Sequence, residues 1–207
     1  GGNLLRAPLP RGGGGGQDRP GPLPSSSKMA LGPPMSDPSS GPGAPGAAII
    51  RPATAADGPA LGRLGALLVR VHHDFDAARF IAPTRGTEDG YARFLVSRIG
   101  QADSLVLAAE ADGVVAGYCY AELEGTDFMS LRGPAGVIYD LLVDPAWRGQ
   151  GLGRRLLEAT RAALVERGAR QVVLSTAEHN TLAQKLFAAA GFRRTMVEMT
   201  WDAPERD

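Results

Sequence analysis

Residues Asp144 to Gly153 read Asp-Pro-Ala-Trp-Arg-Gly-Gln-Gly-Leu-Gly, three glycines and an arginine where a strand-like run gives way to a helical one. Glycine lets the backbone approach a ligand closely and turn its amides inward. A helix start adds N–H groups without a helical acceptor and the positive end of the dipole, so the place suits a pyrophosphate. Arg148 can add a charge-assisted contact. The glycines by themselves serve equally well for a tight turn and close helix packing, and two other phosphate-binding patterns compete. A dinucleotide fingerprint sets GxGxxG after the first strand of a parallel unit, with an acid about 20 residues on, whereas this turn follows a late strand. A P-loop needs Lys followed by Ser or Thr after its glycines, and neither follows here.

The elements that must position this turn can be read from periodicity. Ala47 to Arg51 reads as a short strand. Thr54 with Asp57 has the form of a capping box and opens a helix that buries Leu61, Leu64, Leu68 and Val71, to about His72. A second helix, after the cap Thr87, carries Tyr91, Phe94, Leu95 and Ile99 and closes at Gly100. Leu105 to Ala109 and Val114 to Leu123 flank Asp112-Gly113, a pair that accepts positive φ, and predict an antiparallel hairpin. Val137 to Val143 is a further strand. Leu152 to Leu164 is a helix stopped by Gly168, Val172 to Thr176 a strand, Thr181 to Ala190 a helix stopped by Gly191, and Phe192 to Trp201 a last strand. A helix between Val137–Val143 and Val172–Thr176 makes that pair parallel. The expected fold is therefore α/β of the α+β kind, a mixed, largely antiparallel sheet flanked by helices.

Before this domain, taken as residues 47–203, the chain from Gly1 to Gly46 is Gly, Pro and Ser with the run Gly12 to Gly16, too poor in large apolar groups to offset its ordering entropy. It is expected to be a disordered tail. Lys plus Arg equals Asp plus Glu at 22 each, so no net field draws nucleic acid or an anionic membrane. The single Cys119 excludes an internal disulfide and a multi-cysteine metal site, and reads as a small buried hydrophobe. No metal is expected. No apolar run approaches the roughly 18 residues of a spanning helix, and no charged and apolar leader opens the chain, so a cytoplasmic place is expected.

Arg148-Gly149-Gln150-Gly151-Leu152-Gly153 resembles the acyl-CoA signature of the GNAT N-acetyltransferases: Arg or Gln, two residues, Gly, one residue, then Gly or Ala. Asp140-Leu141-Leu142-Val143-Asp144-Pro145 is similar to that family's splayed central strand. Asn180, Ala183, Phe187 and Gly191-Phe192 are similar to its second signature. The likeness covers about Ala47 to Asp202 and is of the bacterial, single-domain type. It implies two middle parallel strands that splay to admit the pantetheine arm of acetyl-CoA, with backbone groups of Leu141, Leu142 and Val143 beside the arm. It further implies amides of Arg148 to Gly153 on the pyrophosphate, and Asn180 and Phe187 beside the pantetheine. Asn180 serves equally as a plain helix cap.

By the same likeness the acetyl group passes to a primary amine, of a small molecule or a protein N-terminus, by direct attack in a ternary complex. A homodimer is compatible with this. Two positions depart from the family pattern. Tyr139 stands where many relatives carry a basic carboxylate, and Phe187 where many carry a tyrosine that protonates the leaving thiolate. Asp140 is next to Tyr139 but points to the opposite face unless a bulge re-aims one of them. Glu122 can act through water, as can Glu124, His72 or His73, although each also reads as a salt-bridged or helix-end residue. A non-catalytic acyl-CoA sensor on the same fold is the alternative that the two departures leave open.

Overall fold

Runs such as Leu105 to Ala109 are apolar without alternation, which requires a strand covered on both faces. In the computed structural model, which describes residues 48–204, the sheet is built that way. The tail expected over 1–46 lies outside the described residues. Strands β1 (Ile49–Pro52), β2 (Ser104–Ala111), β3 (Val114–Glu124), β4 (Ala135–Val143) and β5 (Val172–Leu174) lie side by side in chain order. The first three junctions are antiparallel, and β4 pairs β5 in parallel across α3 (Leu152–Glu166). Helices α1 (Gly58–Phe75) and α2 (Thr87–Arg98) cover one face, where Leu61, Leu64, Leu68 and Leu95 meet Val106, Ala108, Tyr118, Tyr120 and Leu142. Against the other, α3 and α4 (Thr181–Ala189) bring Leu156, Leu157, Leu164 and Phe187 onto Leu105, Leu107, Cys119, Ala121 and Ile138. Cys119 is fully buried there, and burial pushes its thiol up to about 12, so it packs as a small apolar group.

Local chemistry sets the element ends. Asp112 and Gly113 take φ of 50° and 74°, the two left-handed residues that a two-residue hairpin turn needs. The Thr54 N–H donates to Asp57 Oδ2 at 2.7 Å, and the Arg51 guanidinium grips the same carboxylate at 2.8 Å, pulling it down to about 2. That pair ties β1 to the entry of α1, which runs one turn beyond the expected end at His72.

Close approach of α1 and α2 depends on two residues that lack a side chain. A Cβ on Gly65 would meet the Tyr91 ring at 2.1 Å, and one on Gly62 the Glu88 carbonyl oxygen at 2.6 Å. Gly65→Ala is therefore expected to cost about 1–3 kcal/mol through overpacking, despite the better helix propensity of alanine. Urea unfolding measures this, and an unchanged midpoint would show that Tyr91 yields freely.

A β-bulge decides how β4 presents its residues. Tyr120 pairs with Asp140 and Ala121 with Ile138, so Tyr139 is the extra residue. The bulge re-aims it. Tyr139 stacks on Tyr120 at 5.4 Å between centroids, and Asp140 accepts from Tyr118 at 2.9 Å, so both side chains lie on the α1–α2 face instead of on opposite faces as plain alternation requires.

The last expected strand, Phe192 to Trp201, does not form: residues 192–204 hold no helix or strand. The edge strand β5 offers only three paired residues, too short a ladder for another strand to extend. An ion pair between Arg79 and Glu198 anchors the segment instead, and Met196, Val197, Met199 and Trp201 are exposed.

Candidate active site

The parallel ladder between β4 and β5 runs from Gly136–Val172 to Ile138–Leu174 and stops where the bulge begins. Beyond it the strands part. The gap is a narrow cleft of about 40 Å³, walled by Ile138, Tyr139 and Leu141 from β4 and by Leu174, Ser175 and Thr176 beyond it. Leu68 and His72 of α1 close it on one side, Asn180, Ala183 and Phe187 of α4 on the other. Such a space suits a slender chain, not a ring system.

The β4 wall is a polar edge. The Asp144 N–H donates to the Ala116 carbonyl of β3 at 2.8 Å. Backbone groups switch sides from one residue to the next, so Leu142 also faces β3, while Leu141 and Val143 turn their N–H and C=O toward the cleft. Two contacts agree. A Cβ on Gly117 of β3 would sit 2.7 Å from the Leu142 carbonyl oxygen, and the Val143 carbonyl accepts from Arg148 Nε at 3.2 Å. Of the three residues expected beside a bound arm, Leu141 lines the cleft, Val143 turns its backbone to the same side just beyond that lining, and Leu142 faces β3.

From Val143 the chain passes through Asp144, whose carboxylate accepts from the Ala146 N–H at 3.1 Å and pairs with Arg63 at 3.0 Å. A single helical turn, Pro145–Trp147, leads to Arg148. Gly149 and Gly151 then take φ of 79° and 76°, with open space where a Cβ would stand. Gly151 caps α3, and the Arg155 N–H is the first to find a helical acceptor, the Gly151 carbonyl. The amides of Leu152, Gly153 and Arg154 precede it, so helix geometry gives them no partner. Leu152 is buried and fixes the helix start, a Cβ on Gly153 would stand 3.6 Å from Leu186, and Arg148, Gly149 and Gln150 are exposed. The turn is an exposed cluster of donors at a helix N-terminus, in line with the cleft edge.

Asn180 caps α4 through Oδ1, which accepts from the Ala183 N–H at 3.1 Å, and it also lines the cleft, so cap and wall are the same residue. Phe187 presents a ring without a hydroxyl to that space, tilted against Phe192.

Three of the proton-handling candidates, Tyr139, Glu122 and Asp140, separate. Tyr139 lines the cleft and donates its hydroxyl to Glu124, which Arg132 also holds; burial and then Glu124 push the phenol above its ordinary range. Glu122 lies on the same face outside the cleft, accepting from Ser104 at 3.1 Å and from Tyr120, with Arg98 at 3.7 Å. Asp140 is fully buried beneath α1 and α2, with Tyr118 and Tyr91 as donors; burial outweighs these bonds and pushes the carboxyl up to about 6. It does not border the cleft.

His72, Leu68, Ser175 and Thr176 are wall residues that no motif marks. The helical period placed Leu68 in the core, but the crossing of α1 over the parted strands is a tertiary fact. His73, by contrast, bonds the Phe80 carbonyl at 3.0 Å and is not part of the wall.

Comparison with known proteins follows the same outline. The model of the acetyltransferase (GNAT) family matches residues 69–192. The chain is 40% identical over 97 residues to a mycothiol acetyltransferase of Thermobispora bispora, covering 45% of this chain and 31% of that protein. It is 34% identical over 64 residues to a [ribosomal protein bS18]-alanine N-acetyltransferase of Haemophilus ducreyi, covering 31% and 44%. The chain thus spans about a third of the length of the mycothiol acetyltransferases that it matches. Among solved structures, a mutant of the BH1408 protein from Bacillus halodurans superposes with a TM-score of 0.65 at 22% identity, over 75% of this chain and 99% of that one. The aminoglycoside N-acetyltransferase AAC(6')-Iy in complex with CoA gives 0.59 at 19% identity, over 78% and 97%. These two likenesses concern the fold.

Proposed function

Because the chain belongs to the acetyltransferase (GNAT) family, we propose that it transfers the acetyl group of acetyl-CoA to a primary amine by direct attack within a ternary complex. The observation that carries this reading is the parting of β4 and β5 into a narrow cleft whose edge leads to the donor-rich turn Gly149 to Gly151. A slender pantetheine arm would lie between the strands and pair with Leu141 and Val143, as a further strand would. Its pyrophosphate would meet the amides of Leu152 and Gly153, with Arg148 turned from the Val143 carbonyl or donating from its terminal nitrogens. Asn180 would border the arm and Phe187 the leaving sulfur. The acceptor would approach from the α1–α2 face, beside Tyr139.

The acceptor class follows from the relatives only as a range: the amine of a small molecule, as the mycothiol and aminoglycoside enzymes suggest, or a protein N-terminus, as the ribosomal-protein enzyme suggests. The test is acetyl-CoA-dependent thiol release with propylamine, spermidine, kanamycin and an alanine-terminated peptide in turn. Thiol release with none of them, together with stabilisation by acetyl-CoA, would favour the second reading, a non-catalytic acyl-CoA sensor. The hydroxyl-free ring of Phe187 in the cleft is the observation that favours that reading.

Binding has its own measurement. Acetyl-CoA at a hundred times its Kd is expected to stabilise the chain by about 2.7 kcal/mol, read as a rise in Tm. Arg148→Ala is expected to weaken binding by about 1–2 kcal/mol with unchanged stability of the free chain, because the side chain is exposed and holds only one backbone carbonyl. Equal affinity of the two proteins would remove Arg148 from the phosphate site.

A further inference from the structure

We propose that His72 Nε2 is the group that takes the proton from the incoming amine, an assignment that rests on the acetyltransferase reading above. His72 lines the cleft beside Tyr139. Its Nδ1 lies 2.9 Å from the Leu68 carbonyl oxygen, four residues back on α1. A carbonyl only accepts, so Nδ1 carries the hydrogen and Nε2 bears the lone pair. The ring is held on its other side by Phe80, edge-on at 5.1 Å, and Phe75 at 6.1 Å, so its plane is fixed by packing as well as by the hydrogen bond.

Elimination supports the same atom. Tyr139, the other ionisable residue that lines the cleft, holds its phenol proton against Glu124 and is pushed above its ordinary range, which makes it a donor and not a base. Glu122 and Asp140 do not border the cleft and are occupied by tyrosine hydroxyls. Asn180 spends its oxygen on the α4 cap.

The step balances without a further reactant. The acceptor arrives as an ammonium, and Nε2 takes one proton, leaving a lone pair on nitrogen. That pair forms the C–N bond at the thioester carbon while the carbonyl π pair moves to oxygen. As the carbonyl re-forms, the C–S bond breaks and sulfur leaves with the pair. A second nitrogen proton passes to sulfur, and the imidazolium releases its own to solvent. The products are an acetamide, CoA thiol and one proton.

The experiment uses the full chain, acetyl-CoA and whichever of the four amines above turns over fastest. His72→Ala and His72→Gln are expected to lose about 10²-fold in kcat, with the acetyl-CoA-induced rise in Tm retained. Added imidazole is expected to restore turnover to His72→Ala and not to His72→Gln, whose side chain fills the space. Variants that keep more than half the wild-type kcat would overturn the assignment alone. So would a loss of kcat in both that imidazole does not restore in His72→Ala, since packing and not proton transfer would then explain it. Absence of turnover by the wild-type chain with all four amines would overturn the acetyltransferase reading, and this assignment with it.

Discussion

Gly151→Asp is expected to abolish the stabilisation that acetyl-CoA confers, with affinity lowered by at least about 10³-fold, while the chain stays folded. Two effects add. Gly151 caps α3 with φ at 76°, where an L side chain is strained by roughly 1 kcal/mol, although aspartate and asparagine tolerate that region better than most. Nothing stands within 4 Å of the place a Cβ would take, so the free chain meets no clash. The new carboxylate would instead face the first amides of α3, take up donors meant for the ligand, and repel a pyrophosphate at the same place. Gly151→Asn separates the two causes, because it adds nearly the same shape without the charge. It is expected to bind acetyl-CoA within about tenfold of the wild type. Equal losses for Asp and Asn, measured by titration calorimetry, would show that backbone geometry and not anion recognition sets affinity at this turn.

That the backbone turn at Gly149 to Gly151 was legible in the sequence reflects where its information lies. Glycines at 149 and 151 encode a backbone shape directly, because few other residues sit at such φ. Asp112-Gly113 encodes the β2–β3 hairpin for the same reason, and Gly168 and Gly191, with φ of 97° and 88°, mark the ends of α3 and α4. Strand and helix periods place Leu61, Leu64, Leu68, Leu156 and Leu164 in the core. What alternation alone does not carry is the extra residue at Tyr139. A bulge has no composition of its own, yet it moves Tyr139 and Asp140 onto one face and ends the parallel ladder. The same limit left His72 as one of several water-relayed candidates, since a helical period gives its face on α1 but not the crossing of α1 over the parted strands. Phe192 to Trp201 misled in the opposite direction. Its apolar residues fit a strand, but a strand needs an edge to pair with, and β5 provides three residues.

The bulge also sets the last expected result, a reversal of the usual effect of acid on a carboxylate. Asp140 is fully buried, and its carboxyl stands at about 6 against an ordinary 3.8, raised by burial in spite of the Tyr118 and Tyr91 hydroxyls. Between about pH 4 and 6 the unfolded chain gives up this proton and the native chain keeps it, so the native state binds more protons and stability falls as pH rises. The loss is complete above the folded value. At about 1.4 kcal/mol per unit over about two units, Asp140 lowers stability by about 3 kcal/mol at pH 7 relative to pH 4. Asp140→Asn stays neutral throughout and still offers an oxygen to Tyr118. The stability difference between the wild type and this variant is therefore expected to move by about 3 kcal/mol in favour of the variant across that window, read from urea midpoints at pH 4, 5, 6 and 7. A difference that stays constant with pH would show that the carboxylate is ionised in the native state throughout. Asp140→Leu is expected to do the opposite and cost about 2–5 kcal/mol, because it leaves two tyrosine hydroxyls buried without an acceptor. Tyr91 is also the ring that Gly65 admits against α1. Loss of its acceptor would therefore loosen the seat of the helix that carries Leu68 and His72 into the cleft, and Asp140→Leu should lower turnover further than its stability at the assay temperature accounts for.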